Sequence, residues 1–545
     1  MPTFDLLHKP WVPVLVGGTR TEVSLADALG RAHELDGLAV DDALQAVAVL
    51  RQVLLPVVWD AVGVPRTDSE WARWWSIGRL DQDRICAYLA EHAERFDLFH
   101  QTQPFAQVGG LRTAKDETKP VSLLITAAAV GNNVPLFSAR TEGNPPPLSP
   151  AEAARAVLTA HCWDTAAIKS GAVGDPKVKA GKTTGNPTGP LGQLGVVVPV
   201  GATLAETILL NTPIIPQGLR PQDRPQWRAD IATPVWKPRP AAGLLDLLTW
   251  QARRIRLVPE TLDDGQVVVR RVVLAAGDRL DPLPQEEPHT WWRQVDKPKP
   301  GDPPRRPMRH QPGKSAWRGL TSLLATRDPE ADAPLSQKVS TSSLLRQLGD
   351  LQASDHVPAD LRLQVLTVGV QYGNQSAVVE DVMVDAIPLP VAALAPDSAA
   401  RQLLLDIADQ AERLREAANR LGDDLRRAAG GNKLPWDRSQ RLGDMLVYDF
   451  TPVVHRLLAG LQREPDRVDE AEWAWKTTAR RLARAAVAPA LAAAPPTAFL
   501  GRQETEHLAY RLSTAEARYR AALNAILGPA EDAPETLSPL SGATR

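Results

Sequence analysis

Residues 399–428 read AARQLLLDIADQAERLREAANRLGDDLRRA. Apolar residues return every three or four positions in this stretch, which places them on one face of a helix. The clearest members of that face are Leu403, Leu404, Ile407 and Leu414. Helical spacing recurs in three later stretches, near 439–462, 468–490 and 503–527. Four long amphipathic helices in succession predict a four-helix bundle.

The chain before this region has a mixed pattern. Residues 361–388 read LRLQVLTVGVQYGNQSAVVEDVMVDAIP, in which two β-branched runs flank a GNQS tip and so predict a β-hairpin. A short strand is predicted at Trp11 to Leu15, and helical spacing follows in residues 41–62. We therefore predict an α+β fold. A large, irregular, loop-rich domain over 1–392 precedes a four-helix bundle over 393–545, which ends in a short disordered tail.

Composition limits the classes of function. The 545 residues include 48 prolines, about 9% against a usual 5%, which indicates long irregular loops. The formal charge is -2, so a basic site must be local. Two cysteines are too few for a disulfide framework and fit a cytoplasmic protein. No signal peptide is evident, and the most apolar region, Leu194 to Ile215, is too interrupted to predict a membrane span.

Catalytic and metal-binding patterns are missing from the sequence. AGKTT at 180–184 resembles the end of a phosphate-binding loop, but Pro176 stands where that motif needs glycine. The histidines, among them His161 and His289, show no ligand spacing and are interpreted as structural. We expect no catalytic residue, no metal and no cofactor, and hence no enzyme.

Several separated blocks together resemble the CasA family, the large subunit of the type I-E CRISPR surveillance complex Cascade. The blocks are FDLLHKPWVPV at 4–14, FDLFHQTQPFAQ at 96–107, GATLAETILLNTP at 201–213, DLLTWQARRIRL at 246–257, EEPHTWW at 286–292 and YGNQSAVVEDV at 372–382. Some members of that family carry a cysteine cluster after the block that matches 246–257. This chain has none there, so the resemblance implies no zinc.

The resemblance implies a non-catalytic subunit that recognises the protospacer-adjacent motif (PAM) of double-stranded DNA through the minor groove. It also implies that this subunit wedges the duplex open to start the R-loop and supports recruitment of a separate helicase-nuclease. The expected partners are target DNA, the 5′ handle of the CRISPR RNA, and the handle-binding, backbone and small subunits of Cascade. No membrane partner is expected.

Two loops resemble the family's PAM readers. Gly171, Ala172, Val173 and Gly174 carry small side chains that let a backbone approach base edges, and Lys169, Lys177, Lys179 and Lys182 would hold the flanking phosphates. An ordinary surface loop is the alternative. In residues 293–318, eight basic and two acidic residues give a net +6. Lys297 is the better match for a lysine that enters the minor groove, and Lys299 is the alternative.

Two further sites follow from the resemblance. Gln375 at the hairpin tip would be the wedge, with Asn374 beside it to hold the first base pair. Asn132, Leu136 and Phe137 match the segment that docks near the leading end of the guide RNA, although core burial fits the two apolar residues equally well.

Two rival functions remain open at the level of sequence. One is a nuclease or nucleotide-dependent helicase with an unrecognised active site. The other is a scaffold whose loops contact only other proteins.

Overall fold

The structure is a computed structural model that describes residues 2–126, 147–299, 301, 303–326, 338–432, 441–505 and 508–529. The chain divides into two compact units. The first unit comprises Met1–Lys314, Arg327–Val357 and Leu363–Ala386. The second comprises Ser315–Thr326, Pro358–Arg362 and Ile387–Arg545. The domain boundary after residue 392 stays a prediction.

Helices and strands are interspersed along the described chain. The helices are α1 (Leu25–Gly30), α2 (Ala43–Val49), α3 (Leu55–Val62), α4 (Asp68–Ile77), α5 (Gln82–Glu91), α6 (Pro150–Trp163), α7 (Leu204–Leu210), α8 (Leu244–Leu248), α9 (Leu320–Leu323), α10 (Ser343–Ala353), α11 (Ala399–Ala428), α12 (Leu442–Arg463), α13 (Val468–Ala492), α14 (Thr497–Leu500) and α15 (Leu512–Leu527). The strands are β1 (Val12–Val16), β2 (Thr19–Val23), β3 (Gly37–Leu38), β4 (Lys119–Pro120), β5 (Lys169–Ser170), β6 (Lys182–Thr183), β7 (Val196–Val200), β8 (Pro238–Arg239), β9 (Arg253–Thr261), β10 (Val267–Ala276), β11 (Arg279–Leu280), β12 (Trp292–Gln294), β13 (Arg305–Pro307), β14 (Val339–Ser340), β15 (Gln364–Tyr372), β16 (Val379–Pro388), β17 (Arg502–Thr505) and β18 (Leu508–Tyr510).

The first unit is built around one long buried helix. A π-helical turn at Leu50–Leu54 joins α2 to α3, so the helix runs from Ala43 to Val62. The wider turn lies just before Pro56, whose ring would clash with the carbonyl of the preceding turn in a regular helix. Among the described residues this is the helix long and apolar enough to cross a membrane, but most of it is buried in the protein. The apolar region at 194–215 forms β7 and α7 rather than one continuous helix.

The first unit also contains several small sheets. Within the described chain they have the orders β2-β1-β3, β4-β10-β5-β6 with β9 beside β10, β11-β8, β13-β12-β14 and β16-β15-β7. Helix α6 packs against α2, and a capping box formed by Ser149 and Glu152 fixes its start. The α+β fold is confirmed.

Two elements of the first unit matter for the candidate site. The predicted hairpin at 361–388 consists of β15 and β16, and β15 also pairs with β7 from Gln364 opposite Val200 to Val368 opposite Val196. The stretch at 293–318, expected to be irregular, contains a second hairpin. In it β12 pairs with β13, and Trp292 lies opposite Pro307.

The second unit contains the predicted carboxy-terminal helices. Helix α11 packs against α12, α13 and α15, and its predicted apolar face is buried. The fourth helix was predicted over 503–527, but it begins at Leu512. Strands β17 and β18 precede it and pair with each other. Gly501, directly before β17, has φ +75°. A Cβ at this position would lie 2.3 Å from the carbonyl oxygen of Tyr510.

Candidate nucleic-acid interface

The tip of the β15–β16 hairpin is a tight, hydrogen-bonded loop. The Gly373 N–H donates to the Val378 carbonyl (2.9 Å), and the Ser376 N–H donates back to Gly373 (2.8 Å). Gln375 has φ +52°, a left-handed conformation that is uncommon for a residue with a side chain. Asn374 and Gln375 are both exposed. The predicted wedge therefore projects from a backbone whose conformation is fixed by its own hydrogen bonds.

The hairpin tip is also attached to the end of helix α6. The Ala166 N–H donates to the Ser376 carbonyl (2.8 Å), and the Tyr372 hydroxyl donates to the Trp163 carbonyl (2.5 Å). Burial raises the pKa of the Tyr372 hydroxyl, so this group remains a donor at any ordinary pH. A Cβ at Gly192 would lie 2.3 Å from the Tyr372 oxygen, so only glycine fits there. These contacts oppose movement of the hairpin tip when a force acts on Gln375.

The glycine loop folds back on itself. Gly171 and Ala172 are buried, whereas Val173 and Gly174 are exposed. A Cβ at Gly171 would lie 2.4 Å from Val178 Cγ1, so the missing side chain at 171 serves packing within the loop. Of the four predicted residues, only Val173 and Gly174 are exposed to solvent in this structure.

Asp175 holds the loop in place. Its carboxylate accepts hydrogen bonds from the Lys177 N–H (2.9 Å) and from Trp236 Nε1 (3.1 Å). The Lys177 ammonium lies 3.6 Å from the centre of the Trp236 ring. Such contacts order a segment whose composition predicts only an irregular loop.

Lys169 differs from its predicted role. Its ammonium is buried and lies 2.8 Å from Asp164 Oδ2. Arg253 also pairs with this carboxylate. Burial alone would raise the pKa of Asp164, but Lys169 and Arg253 together hold it below its usual value. The expectation that Lys169 binds a phosphate is therefore wrong for this structure, because its ammonium is buried and paired with Asp164. Lys179 and Lys182 remain exposed.

Lys297 lies in the loop of the β12–β13 hairpin. The Val295 N–H donates to the Pro304 carbonyl (2.9 Å) and closes this loop. Lys297 has φ +53° and is exposed, as is Lys299. Both candidates for a minor-groove lysine are therefore accessible, on a loop held by paired strands.

A cleft of about 690 Å³ brings two of the predicted elements together. Gln375 lines it together with the segment from Asp164 to Ser170, which leads directly into the glycine loop. Lys297 is not among the described residues that line this cleft. Asn132, Leu136 and Phe137 lie outside the described residues; Thr126, the last described residue before them, lines the cleft.

The chain matches a known protein family over most of its length. The family model of the CRISPR-associated protein Cse1 matches residues 5–486. The chain belongs to the Cse1 family. The resemblance to CasA found in the sequence is thereby confirmed, since CasA and Cse1 are two names that a relative of this chain carries together.

Three proteins show the extent of the similarity. CasA/Cse1 of Thermus thermophilus is 30% identical over 442 residues, which are 79% of each chain. The crystal structure of Thermobifida fusca Cse1 is 33% identical, has a TM-score of 0.82, and covers 96% of this chain and 98% of that one. A chain of a CRISPR RNA-guided surveillance complex is 20% identical, with a TM-score of 0.68 over 96% of this chain and all (100%) of that chain, and shows the fold alone.

This Cse1 chain also contains a buried ionic cluster that the sequence did not reveal. Arg51 Nη1 donates to Glu287 Oε1 (2.5 Å) and Arg51 Nη2 donates to Glu287 Oε2 (2.9 Å). His289 Nδ1 lies 2.7 Å from Arg51 Nη1, and His289 Nε2 lies 3.1 Å from Asn211 Oδ1. Two signals in the sequence could have suggested this cluster. One is a basic residue inside the apolar run at 43–62, and the other is the acid-histidine pair in EEPHTWW.

The buried histidines predict a loss of stability in mild acid. Burial lowers the pKa of His161 to about 4, and burial together with the charge of Arg51 lowers the pKa of His289 to about 4. The unfolded chain takes up these protons first, near pH 6.5, so folding stability decreases as the pH falls from 6.5 towards 4. We expect a loss of about 1 to 2 kcal/mol per histidine between pH 7.5 and 5.5. Urea unfolding at both pH values measures it, and an unchanged midpoint would contradict it.

Proposed function

We propose that this chain is the non-catalytic large subunit of a type I-E CRISPR RNA-guided complex. It recognises the PAM in double-stranded DNA through the minor groove and wedges the duplex open to start the R-loop. The complex contains the CRISPR RNA and the handle-binding, backbone and small subunits, acts in the cytoplasm, and recruits a separate helicase-nuclease after opening. Family membership and the surveillance complex to which a fold relative belongs support this proposal.

The observation that carries the proposal is the anchored hairpin tip. Separating stacked base pairs requires an inserted side chain whose own backbone does not yield. Gln375 meets this requirement, because the loop hydrogen bonds and the Tyr372 and Ala166 anchors hold its backbone. An exposed amide on a rigid tip can both push against a base pair and hydrogen-bond to the opened bases.

The two PAM-reading loops have the accessibility that groove contacts need. Val173 and Gly174 are exposed residues of an ordered loop, and Lys297 is an exposed cation in a hairpin loop. The minor groove presents acceptor atoms at every base pair, which suits a lysine donor and gives coarse discrimination between pairs. Phosphate contacts from Lys179 and Lys182 would set the register.

Base analogues in the PAM test which groove is read. The motif is first selected from a randomised flank by complexes that contain this chain. Inosine in place of guanine, or 2,6-diaminopurine in place of adenine, then changes only the minor-groove amino group, whereas 7-deazapurines change only the major groove. We expect at least one amino-group change to alter affinity by about fivefold or more. Sensitivity to the 7-deaza analogues alone would contradict minor-groove reading.

Lys297→Ala is expected to weaken PAM-dependent binding by about 1 to 3 kcal/mol, roughly 5-fold to 150-fold, if this lysine contacts a base. Lys299→Ala is the matched control, because it removes the same charge two residues away on the same loop. Electrophoretic mobility assays at fixed salt measure both variants. A loss of affinity in Lys299→Ala alone would assign the base contact to Lys299. Equal affinities for the wild type and both variants would show that this loop does not read the PAM.

The rival enzymatic function makes a separate prediction. A nuclease or nucleotide-dependent helicase would cleave DNA or hydrolyse ATP as the purified chain with a divalent metal. Among the described residues, no group of three or more His, Cys, Asp or Glu side chains is placed to hold a metal ion. DNA cleavage or ATP hydrolysis that remains with the chain after further purification would contradict our proposal.

A further inference from the structure

A second cleft in the first unit has the size and lining of a ligand site. It measures about 630 Å³, which is within the usual range for pockets that hold small organic groups. Trp292 and Arg305, which belong to the two strands of the Lys297 hairpin, form part of its lining. None of the sequence-based predictions uses this cleft.

Two polar atoms in its lining are buried and have no partner. Thr341 is 2% exposed and its hydroxyl makes no hydrogen bond. The Oε1 atom of Gln285 is buried and unpartnered as well. The Gln285 amide is held in position, because its Nε2 donates to the Arg305 carbonyl (3.3 Å) and Arg305 Nη2 donates to the Gln285 carbonyl (3.1 Å).

Unpaired buried polar groups are rare because each one destabilises the folded state. Two of them in one cleft indicate that a ligand supplies the missing partners. The Gln285 oxygen accepts, so the ligand must present an N–H or O–H donor to it. The Thr341 hydroxyl can either donate or accept.

Charged and aromatic groups narrow the ligand further. The Arg305 guanidinium lies 5.2 Å from the Trp292 ring centre, so a cation and an aromatic surface line the same side. Arg220 is paired with Glu286 at 3.2 Å. Further carboxylates line the cleft as well, those of Asp68, Asp223, Glu287 and Asp350. Acceptors for amino groups and an aromatic ring beside a cation fit a nucleobase, and the carboxylates of the lining place its phosphate outside the cleft.

We propose that this cleft holds one nucleotide turned out of the DNA strand that the Lys297 hairpin contacts. This inference rests on the proposed function, since it requires DNA at that hairpin. Trp292 is five residues from Lys297, so an extended strand places the two within about 17 Å. Rotation of the DNA backbone at one nucleotide carries its base over such a distance. The exposed cations Arg293, Lys297 and Lys299 would hold the neighbouring phosphates.

Thr341→Val tests the site with little change in shape. The variant removes a hydroxyl that has no partner in the free protein, so its thermal unfolding midpoint should be equal to or above that of the wild type. Gln285→Met removes the second acceptor. The control is Ser122→Ala, because the Ser122 hydroxyl is also buried and unpartnered but is not among the residues that line this cleft.

The readout is 2-aminopurine fluorescence in complexes assembled with the full-length chain. The analogue is placed one position at a time in both strands around the PAM, because its emission changes when it leaves the stack. We expect one position with a changed signal, and at least a threefold loss of that change in Thr341→Val and in Gln285→Met. Ser122→Ala should keep the full signal.

The outcomes separate this proposal from the proposed function. PAM-dependent affinity is measured on the same samples. A 2-aminopurine signal that requires Thr341 supports the nucleotide site whatever the PAM preference. No such signal, in complexes that bind DNA normally, overturns the site and leaves PAM recognition intact. If Thr341→Val instead weakens assembly with the other subunits, the occupant is a protein segment and the nucleotide proposal is wrong.

Discussion

Arg51→Met is expected to lower the free energy of unfolding of the first unit by about 3 to 5 kcal/mol, because it leaves the Glu287 carboxylate buried without its partner. Arg51 and Glu287 are 2% and 4% exposed, so water cannot replace the lost contacts. The pKa of Glu287 is held far below its usual value; burial alone would raise it, and Arg51 and His289 more than reverse that effect. The folded protein therefore depends on the pair remaining complete.

Hydrogen exchange along Ala43–Val62 measures this effect locally, since Arg51 lies in that helix. Arg420→Met is the matched control, because Arg420 pairs with Glu416 at 3.4 Å on an exposed helix face. Such a surface pair contributes about 0 to 1 kcal/mol. The double variant Arg51→Met/Glu287→Leu should recover part of the loss, since it removes both charges. A loss below about 1 kcal/mol in the single variant would show that Glu287 is hydrated or protonated instead.

The position of the buried cluster could not be predicted from the sequence. Arg51 and Glu287 are 236 positions apart, and no local pattern links residues at that separation. Periodicity predicts that residues 41–62 form a helix, but it does not show which partner neutralises a cation within it. The α+β class and helix α11 were predictable because their apolar spacing is regular over many residues.

The candidate site was predictable to a different degree in each loop. Alternating β-branched residues predict the β15–β16 hairpin, and strand pairing then places Gln375 at its tip. The glycine loop was harder, because small side chains serve both DNA approach and close packing. Gly171 packs against Val178, and Lys169 pairs with Asp164, a residue five positions earlier. Composition alone does not distinguish a free lysine from a neutralised one.

Gln375→Ala is expected to slow strand opening by about tenfold or more while initial duplex binding changes by less than about twofold. Unstacking one base step costs a few kcal/mol, and the inserted side chain offsets part of that cost. Alanine keeps the backbone restrictions of an L-residue at φ +52°, so the tip should retain its conformation. Gln371→Ala is the matched control, because it removes the same amide from strand β15, where Gln371 bonds to Glu380 (3.0 Å).

The most direct test of the wedge compares opening rates on two targets, one fully paired and one with mismatched base pairs beside the PAM. Stopped-flow fluorescence of complexes with wild-type, Gln375→Ala and Gln371→Ala chains gives these rates. A wedge at Gln375 predicts that Gln375→Ala is slow on the paired target and equal to the wild type on the mismatched one. An equal deficit on both targets, or no deficit on either, would contradict a wedge at Gln375.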